Sequence, residues 1–456
     1  MPLTRTRILT SLVAIVLVGQ GCSSSASGST RPTGVTASAW NNFALVRWAA
    51  PVKTGSGGIA AYRVLSNPGD GTATVSGNQS WGVVSGLRNH VRYTFRVVAL
   101  NGVNKSSRPS SASNPVTPTP VEIHVSGNQL VNGAGQPVRL FGVNRSGTEY
   151  MCVVDGTTGA GIFSGPSDAA SIGRMASWHV NAVRLPLNED CWLGLNGVNA
   201  AYSGPNYRDA IAAYVDRLNA AGLVAIIDLH WNAPGGRLSG QQQVMADADH
   251  SLAFWASVAA TFKANPGVMF DLYNEPTTAS WMCWRSGCDT KDGWRTAGMQ
   301  SLIDVVRATG ATQPIVVAGL SNANDLSEWL SPPLNDPLHQ LVAGPHVYNV
   351  GPPGYCNDIA CWNGIFAAVA TQTPILTGEL AEFDRRSDFV TKYMMWADEQ
   401  WSSGHSISFV GWSWDAALGE GGPSLISSFD GTPTRFGLGF RAYLQKLFDS
   451  GQVKQG

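Results

Sequence analysis

Val268-Met269-Phe270-Asp271-Leu272-Tyr273-Asn274-Glu275-Pro276 decides how this chain is read. Its first five residues form a short, mostly apolar run that gives way to Asn-Glu-Pro. A run of that length, bounded by a turn signal, predicts a buried strand. Strands buried on both faces belong to parallel sheets, so the next question is how many more the chain supplies.

Comparable runs occur at 138–143, 182–187, 224–229, 314–318, 340–347, 374–380 and 408–412. Stretches of helical period lie between them, at 207–221, 250–263, 293–309 and 388–401 among others. Strand-like runs alternating with helix-length stretches predict an α/β fold, a parallel (β/α)8 TIM barrel over residues 121–450. Such a barrel carries its chemistry where the strands end.

The strand ends are rich in reactive side chains. The fourth run leads into Asn274 and Glu275, and the seventh ends in Thr377-Gly378-Glu379-Leu380. Two carboxyl groups at the mouths of different strands suit glycosidic cleavage, where one protonates the leaving oxygen and the other attacks carbon. The second run holds Arg184, and the third ends in Asp228-Leu229-His230-Trp231. The sixth ends in His346-Val347-Tyr348, whose outer two side chains share a face by alternation. The eighth ends in Gly411-Trp412-Ser413-Trp414. Each residue alone has a packing explanation. Their joint placement at strand ends does not.

Taken in chain order, these residues resemble glycoside hydrolase family 5, the cellulase-containing family of retaining β-glycosidases. The family's Arg, His, Asn-Glu, His-x-Tyr, Glu and Trp fall on Arg184, His230, Asn274, Glu275, His346, Tyr348, Glu379 and Trp412. The resemblance implies Glu275 as acid and base and Glu379 as nucleophile. It implies sugar hydroxyls bound by Asn274 and His230, His346 beside Glu275, and Trp412 beneath the ring. It implies neither metal nor organic cofactor. Glu275 then has to hold a proton, through burial and a nearby carboxylate, while Glu379 has to stay ionised beside Arg184 and Tyr348.

The segment before the barrel has a different composition. Arg5 and Arg7 precede an apolar run of 8–18, which is too short to span a bilayer. It reads as a signal segment over 1–21, with Cys22 as a lipidated mature N-terminus and a point of membrane attachment. A Ser/Gly-rich tether, 22–34, follows. Short runs at 44–48, 60–65, 81–84 and 93–99, separated by Gly/Pro/Asn clusters, predict an all-β sandwich over 35–117. Trp48, Pro51, Tyr62, Gly86-Leu87, Tyr93–Val97 and Asn101 in that segment resemble a fibronectin type III domain. It is expected to act as a spacer, joined to the barrel through the stiff Thr117-Pro118-Thr119-Pro120 linker.

If Cys22 is set aside, six of the seven cysteines remain to pair. Neighbours in sequence predict Cys283–Cys288 and Cys356–Cys361, and a shared place on the barrel face predicts Cys152–Cys191. Disulfides point to an exported protein. The same loops carry Trp192, Trp281, Trp284 and Trp362, and Trp231 follows the third strand. Trp231 and Trp284 are expected to stack on sugar rings, in keeping with a chain that holds 16 tryptophans. A net charge of −1 and the lack of any basic run exclude a nucleic-acid partner. The expected protein is a monomeric, exported endo-acting β-glucanase whose partner is a polysaccharide, β-1,4-glucan above all. Mannanase, β-1,3-glucanase and xyloglucanase activities are alternatives. A non-catalytic carbohydrate-binding or adhesion protein is another, and the presence of both Glu275 and Glu379 argues against it.

Overall fold

In the computed structural model, which describes residues 27–69, 71–154, 159–331, 333–417 and 422–452, the Val268 run is one stave of a closed barrel. The strands are β1 (Phe141–Asn144), β2 (Ala182–Asn188), β3 (Val224–Trp231), β4 (Val268–Asp271) and β5 (Ile315–Ala318). They continue with β6 (Leu341–Gly344, resuming after Pro345 as His346–Tyr348), β7 (Ile375–Ala381) and β8 (Ile407–Gly411). Each pairs in parallel with the next, and β8 returns to β1 through Phe141↔Phe409 and its neighbours. The signal segment and Cys22 lie outside the described residues. No helix among those residues is long and apolar enough to cross a membrane.

Alternation sorts the strand side chains into two environments. Val183, Leu185, Leu187, Ala225, Ile227 and Leu229 point outward into the shell of helices. The inward set begins with Ala182, Val224, Ile226, Met269, Val316, Val342, Leu376 and Val410. Continuing up the barrel with the same parity, it reaches Arg184, Asp228, Asp271 and His230. The apolar lower layer and the charged upper layer are thus consecutive turns of one pattern.

The first predicted run divides in two. Pro137–Val138 joins a small antiparallel sheet with Ile123–Ser126 and Gln129–Asn132, and only the residues from Phe141 onward enter the barrel. Val121, Ile123, Leu130, Val138 and Leu140 pack against the inward layer and close the barrel's lower end. The 293–309 stretch becomes helical only at Met299–Ala308. Its earlier residues are drawn into loop pairing, with Thr296 bonded to Cys288 and Ala297 to Ala246.

Ahead of the barrel lie two three-stranded antiparallel sheets around Trp48, Tyr62, Tyr93 and Phe95. They do not stand off as a spacer. Leu45 enters the barrel's main apolar cluster, and the Arg47 guanidinium sits 4.8 Å above the Phe448 ring while donating to its carbonyl at 2.6 Å. Trp81 meets the same ring edge-on at 5.3 Å, and Asn41 donates to the Asn219 carbonyl at 2.7 Å. The linker is held too, with Pro118 buried and its carbonyl accepting from His90. Apolar and aromatic side chains facing the outer helices make contact with the barrel more favourable than separation.

Candidate active site

Arg184 organises the upper layer of the barrel. Its buried Nε donates to Asp271 at 2.8 Å, Nη1 to Glu379 and to Asn144 at 3.1 Å each, and Nη2 to Asn274 at 3.0 Å. Nη2 also lies 3.1 Å from Asp228. Burial alone would lower the guanidinium's pKa, but Asp228, Asp271 and Glu379 raise it instead, so the group stays charged. One cation does not neutralise three carboxylates. Burial pushes Asp228 and Asp271 up to about 7 despite the guanidinium. Asp228 also meets His230 Nδ1 at 2.7 Å and fixes the ring's orientation.

Glu379 stands where β7 changes register against β8, between Thr377 and Leu380. Such an irregularity re-aims a side chain. One oxygen takes the Arg184 bond and the other accepts the Tyr348 hydroxyl. Burial and the charges of Glu379 and Glu275 hold Tyr348 well above the ordinary phenol value, so it remains a donor.

Glu275 occupies a different environment and is partly open to solvent. His346 Nδ1 lies 3.0 Å from its Oε1 and 3.6 Å from Glu379 Oε2. Burial lowers the imidazole to about 3, which keeps it neutral. Burial also raises Glu275 above the ordinary carboxyl value, against the pull of His230, Arg184 and the amides of Asn322 and Gln242. An oxygen of each glutamate and a nitrogen of His346 fall within 4.8 Å of one another. The Trp412 ring, half-buried, lies parallel to that of His230 at 5.5 Å and 8°. Its peptide bond to Ser413 is cis. Trp414 turns inward against Trp178 at 4.9 Å. A carboxyl biased toward its acid form, a second carboxylate held by a guanidinium and a phenol hydroxyl, and a flat apolar ring are the parts that cleavage of a sugar linkage needs.

The cellulase (glycosyl hydrolase family 5) model matches residues 131–418, and the fibronectin type III model matches 30–116. The chain belongs to glycosyl hydrolase family 5. It is similar to endoglucanase E-5 of Thermobifida fusca, 23% identical over 240 residues, which cover 50% of this chain and 44% of that one. Endoglycoceramidase I of Rhodococcus hoagii is 26% identical over 385 residues, covering 69% and 73%. The major extracellular endoglucanase of Xanthomonas campestris pv. campestris is 27% identical over 341 residues, covering 65% and 66%. The family 5 chain thus spans less than half the length of the Thermobifida protein. A β-glucanase of Saccharophagus degradans has the same fold, with a TM-score of 0.55 at 21% identity over 72% of this chain and 94% of that one.

Not every predicted site residue reaches the family 5 cleft. Trp284 is fully buried, donates to the Ala318 carbonyl at 2.9 Å and packs edge-on against Trp281 at 4.9 Å. It is a core residue and no sugar platform. Trp192 and Trp362 are fully buried as well, their indole nitrogens bonded to Ser257 and to the Cys356 carbonyl. The short Trp281–Ser286 helix turns its indoles inward, so a position beside an exposed-looking loop misleads. Trp231 stays partly open, 6.5 Å from the Tyr150 ring. The disulfides form as expected, Cys152–Cys191, Cys283–Cys288 and Cys356–Cys361.

Several family 5 site residues escaped the sequence reading. Asn144, Asp228 and Asp271 hold Arg184, and Gln242 accepts from Asn274 at 2.6 Å while donating to the Glu275 carbonyl at 2.7 Å. The charged residues did carry a signal, since Asp inside an apolar strand run is costly without a partner. After β5, Ser321, Asn322 and Ala323 adopt φ of 55°, 57° and 60° in succession. The left-handed conformation costs non-glycine residues roughly 1–2 kcal/mol each. Asn322 Nδ2 lies 3.5 Å from Glu275 Oε2.

Among the described residues, side chains with cation-ligand spacing gather in two places. Glu275, His346 and Glu379 occupy one; Glu189, Asp190, Asp247, Asp249 and His250 surround the other. In the second, Asp190 and Asp247 already accept from Ser239, Asn196, Asn232 and the His250 backbone. Burial, with Asp247 beside it, raises Glu189 well above the ordinary carboxyl value. Most oxygens of that cluster are thus committed to hydrogen bonds, Glu189 Oε2 to the Ser251 hydroxyl among them.

Proposed function

We propose that this chain is a retaining endo-β-glucanase acting on β-1,4-glucan by double displacement. The observation that carries the reading is the contrast between two neighbouring carboxyl groups, one oxygen of each lying within 4.8 Å of the other. Burial favours the protonated form of Glu275, while Glu379 is gripped by Arg184 and Tyr348. Carboxyls about 5–5.5 Å apart suit a retaining mechanism, whereas inverting enzymes leave about 6.5–9.5 Å for a water.

Glu379 attacks the anomeric carbon as Glu275 protonates the departing oxygen. Forming the ester consumes the Glu379 charge, so the field on Glu275 becomes less negative and the carboxylate it has become accepts a proton from water. His346, kept neutral by burial, adds no positive charge of its own between the two. The endoglucanases and β-glucanase among the similar proteins support the substrate class.

The experiment is sugar release from a panel of glucans, mannan and xyloglucan, with Glu379→Ala and Glu275→Ala beside the wild type. Glu379→Ala should lose all turnover. Glu275→Ala should lose glycans yet still load a glycosyl group from an activated aryl glycoside. Comparable turnover of glycans by all three proteins would end the proposal. A second reading, cleavage of glycolipids, is favoured by the endoglycoceramidase similarity and by exposed Phe383, 5.5 Å from the Tyr348 ring. Adding a glycosphingolipid to the panel decides between them.

Export as a monomer anchored through lipidated Cys22 belongs to the same proposal, supported by three disulfides that call for an oxidising compartment. Equal release of wild type and Cys22→Ser into the medium would rule out the anchor.

A further inference from the structure

We infer that Asn322 is a positioning residue for the Glu275 carboxyl, keyed from behind by Tyr355, the residue before the loop that the Cys356–Cys361 disulfide closes. The inference rests on the reading of Glu275 as acid and base. It adds β5 to the strands serving the reaction, where none of the eight matched positions lies.

The geometry runs as a chain of contacts. Glu275 Oε1 is taken by His346 at 3.0 Å, and Oε2 faces the Asn322 amide nitrogen at 3.5 Å. A primary amide has a donor end and an acceptor end. The Tyr355 hydroxyl donates to Asn322 Oδ1 at 2.7 Å, which turns Nδ2 toward the carboxyl. Cys356, the next residue, donates its backbone N–H to Asn324 Oδ1.

The left-handed turn is tied to both partners of the acid. The Asn322 N–H donates to the Pro276 carbonyl at 3.2 Å, one residue beyond Glu275. The Ala323 carbonyl accepts from the His346 N–H at 3.1 Å, and Asn324 Nδ2 donates to the His346 carbonyl at 2.9 Å. Three consecutive non-glycine residues at positive φ are uncommon, and such conformations persist where surrounding contacts over-determine them. Here those contacts converge on Glu275 and His346. Catalytic hydrogen bonds are often long before substrate binds and tighten in the complex, which suits the 3.5 Å spacing.

An amide donor favours the ionised carboxyl, the form Glu275 needs in order to take a proton from water. The charged and titratable groups facing Glu275 from the packed strands are Arg184 of β2, Asp228 and His230 of β3, His346 and Tyr348 of β6, and Glu379 of β7; from the loop after β6 the Tyr355 phenol faces it as well. Substitution at Asn322 or Tyr355 leaves all six strand groups in place.

The test follows kcat and kcat/KM against pH for the full chain and its Asn322→Ala, Asn322→Asp, Tyr355→Phe and Glu275→Gln variants, on an aryl β-cellobioside and on glucan. Asn322→Ala should raise the alkaline limb by about half a pH unit and lower kcat on glucan about tenfold. Tyr355→Phe, a mild change at a half-exposed residue, should move both in the same direction by less. Asn322→Asp should raise the limb furthest, because a like charge opposes ionisation. An unmoved limb in all three, with any loss confined to KM, overturns the inference. If Glu275→Gln keeps its activity on glucan, the acid–base reading itself fails. If it is inactive while the limb stays fixed, only the role of Asn322 fails.

Discussion

His346 Nδ1 lies 3.0 Å from Glu275 Oε1, and burial keeps that imidazole neutral by lowering its pKa to about 3. A charged imidazole there would favour ionised Glu275 and remove the proton that cleavage requires. The neutral ring instead leaves burial free to raise the carboxyl.

The pH dependence of kcat/KM follows. Glu275 works first as an acid, so activity is present below its raised pKa and is lost as pH climbs through it. The alkaline limb should lie above the ordinary carboxyl value of about 4.3. A limb at or below that value would contradict the account of Glu275's surroundings.

Asp271 makes a prediction about stability. Burial holds its folded-state pKa at about 7, above an unfolded value of about 3.9. A raised pKa means that its contribution is fully present below the unfolded value and is lost as pH rises through the folded one. Between about pH 4 and 7 the wild type should therefore lose stability relative to Asp271→Asn, by on the order of 1 kcal/mol or more. Urea unfolding of both proteins at each end of that window measures the difference; parallel curves would show that Asp271 does not titrate there.

Two tryptophans should respond in opposite ways. Trp284→Ala removes a fully buried ring and should cost about 3–5 kcal/mol of stability. Trp412→Ala should lower kcat/KM about tenfold or more through lost ring stacking, with a smaller stability change. Denaturant midpoints and kinetics on soluble glucan separate the two effects, and equal stability losses would erase the distinction.

The Cys152–Cys191 bond closes a separation of 39 residues and joins the loops after β1 and β2. Chain-entropy arithmetic gives about 4 kcal/mol for a loop of that size. A Cys152→Ser/Cys191→Ser double variant should unfold at correspondingly lower denaturant, and an unchanged midpoint would show that the bond constrains little.

Much of this architecture was legible in the chain because buried parallel strands announce themselves. The runs leading to Glu275 and Glu379 are apolar until the strand mouth, and chemistry begins where the pattern breaks. Asp228 and Asp271 were harder to see because they belong to the pattern, as inward residues one layer above Ile226 and Met269. The Ser-Asn-Ala turn was invisible for a different reason. Of its residues only Asn favours the left-handed region, and contacts from Pro276 and His346 impose the rest. Tertiary packing also decided Trp284, whose loop position said exposed while its short helix carried it inward.

The stereochemistry of the first product tests the central claim most directly. Proton NMR taken early in the hydrolysis of a β-1,4-glucan oligosaccharide, before mutarotation, reports which anomer the enzyme releases. Two displacements through Glu379 predict the β anomer. Initial release of the α anomer would mean direct attack by water, and the roles assigned here to Glu275 and Glu379 would be wrong.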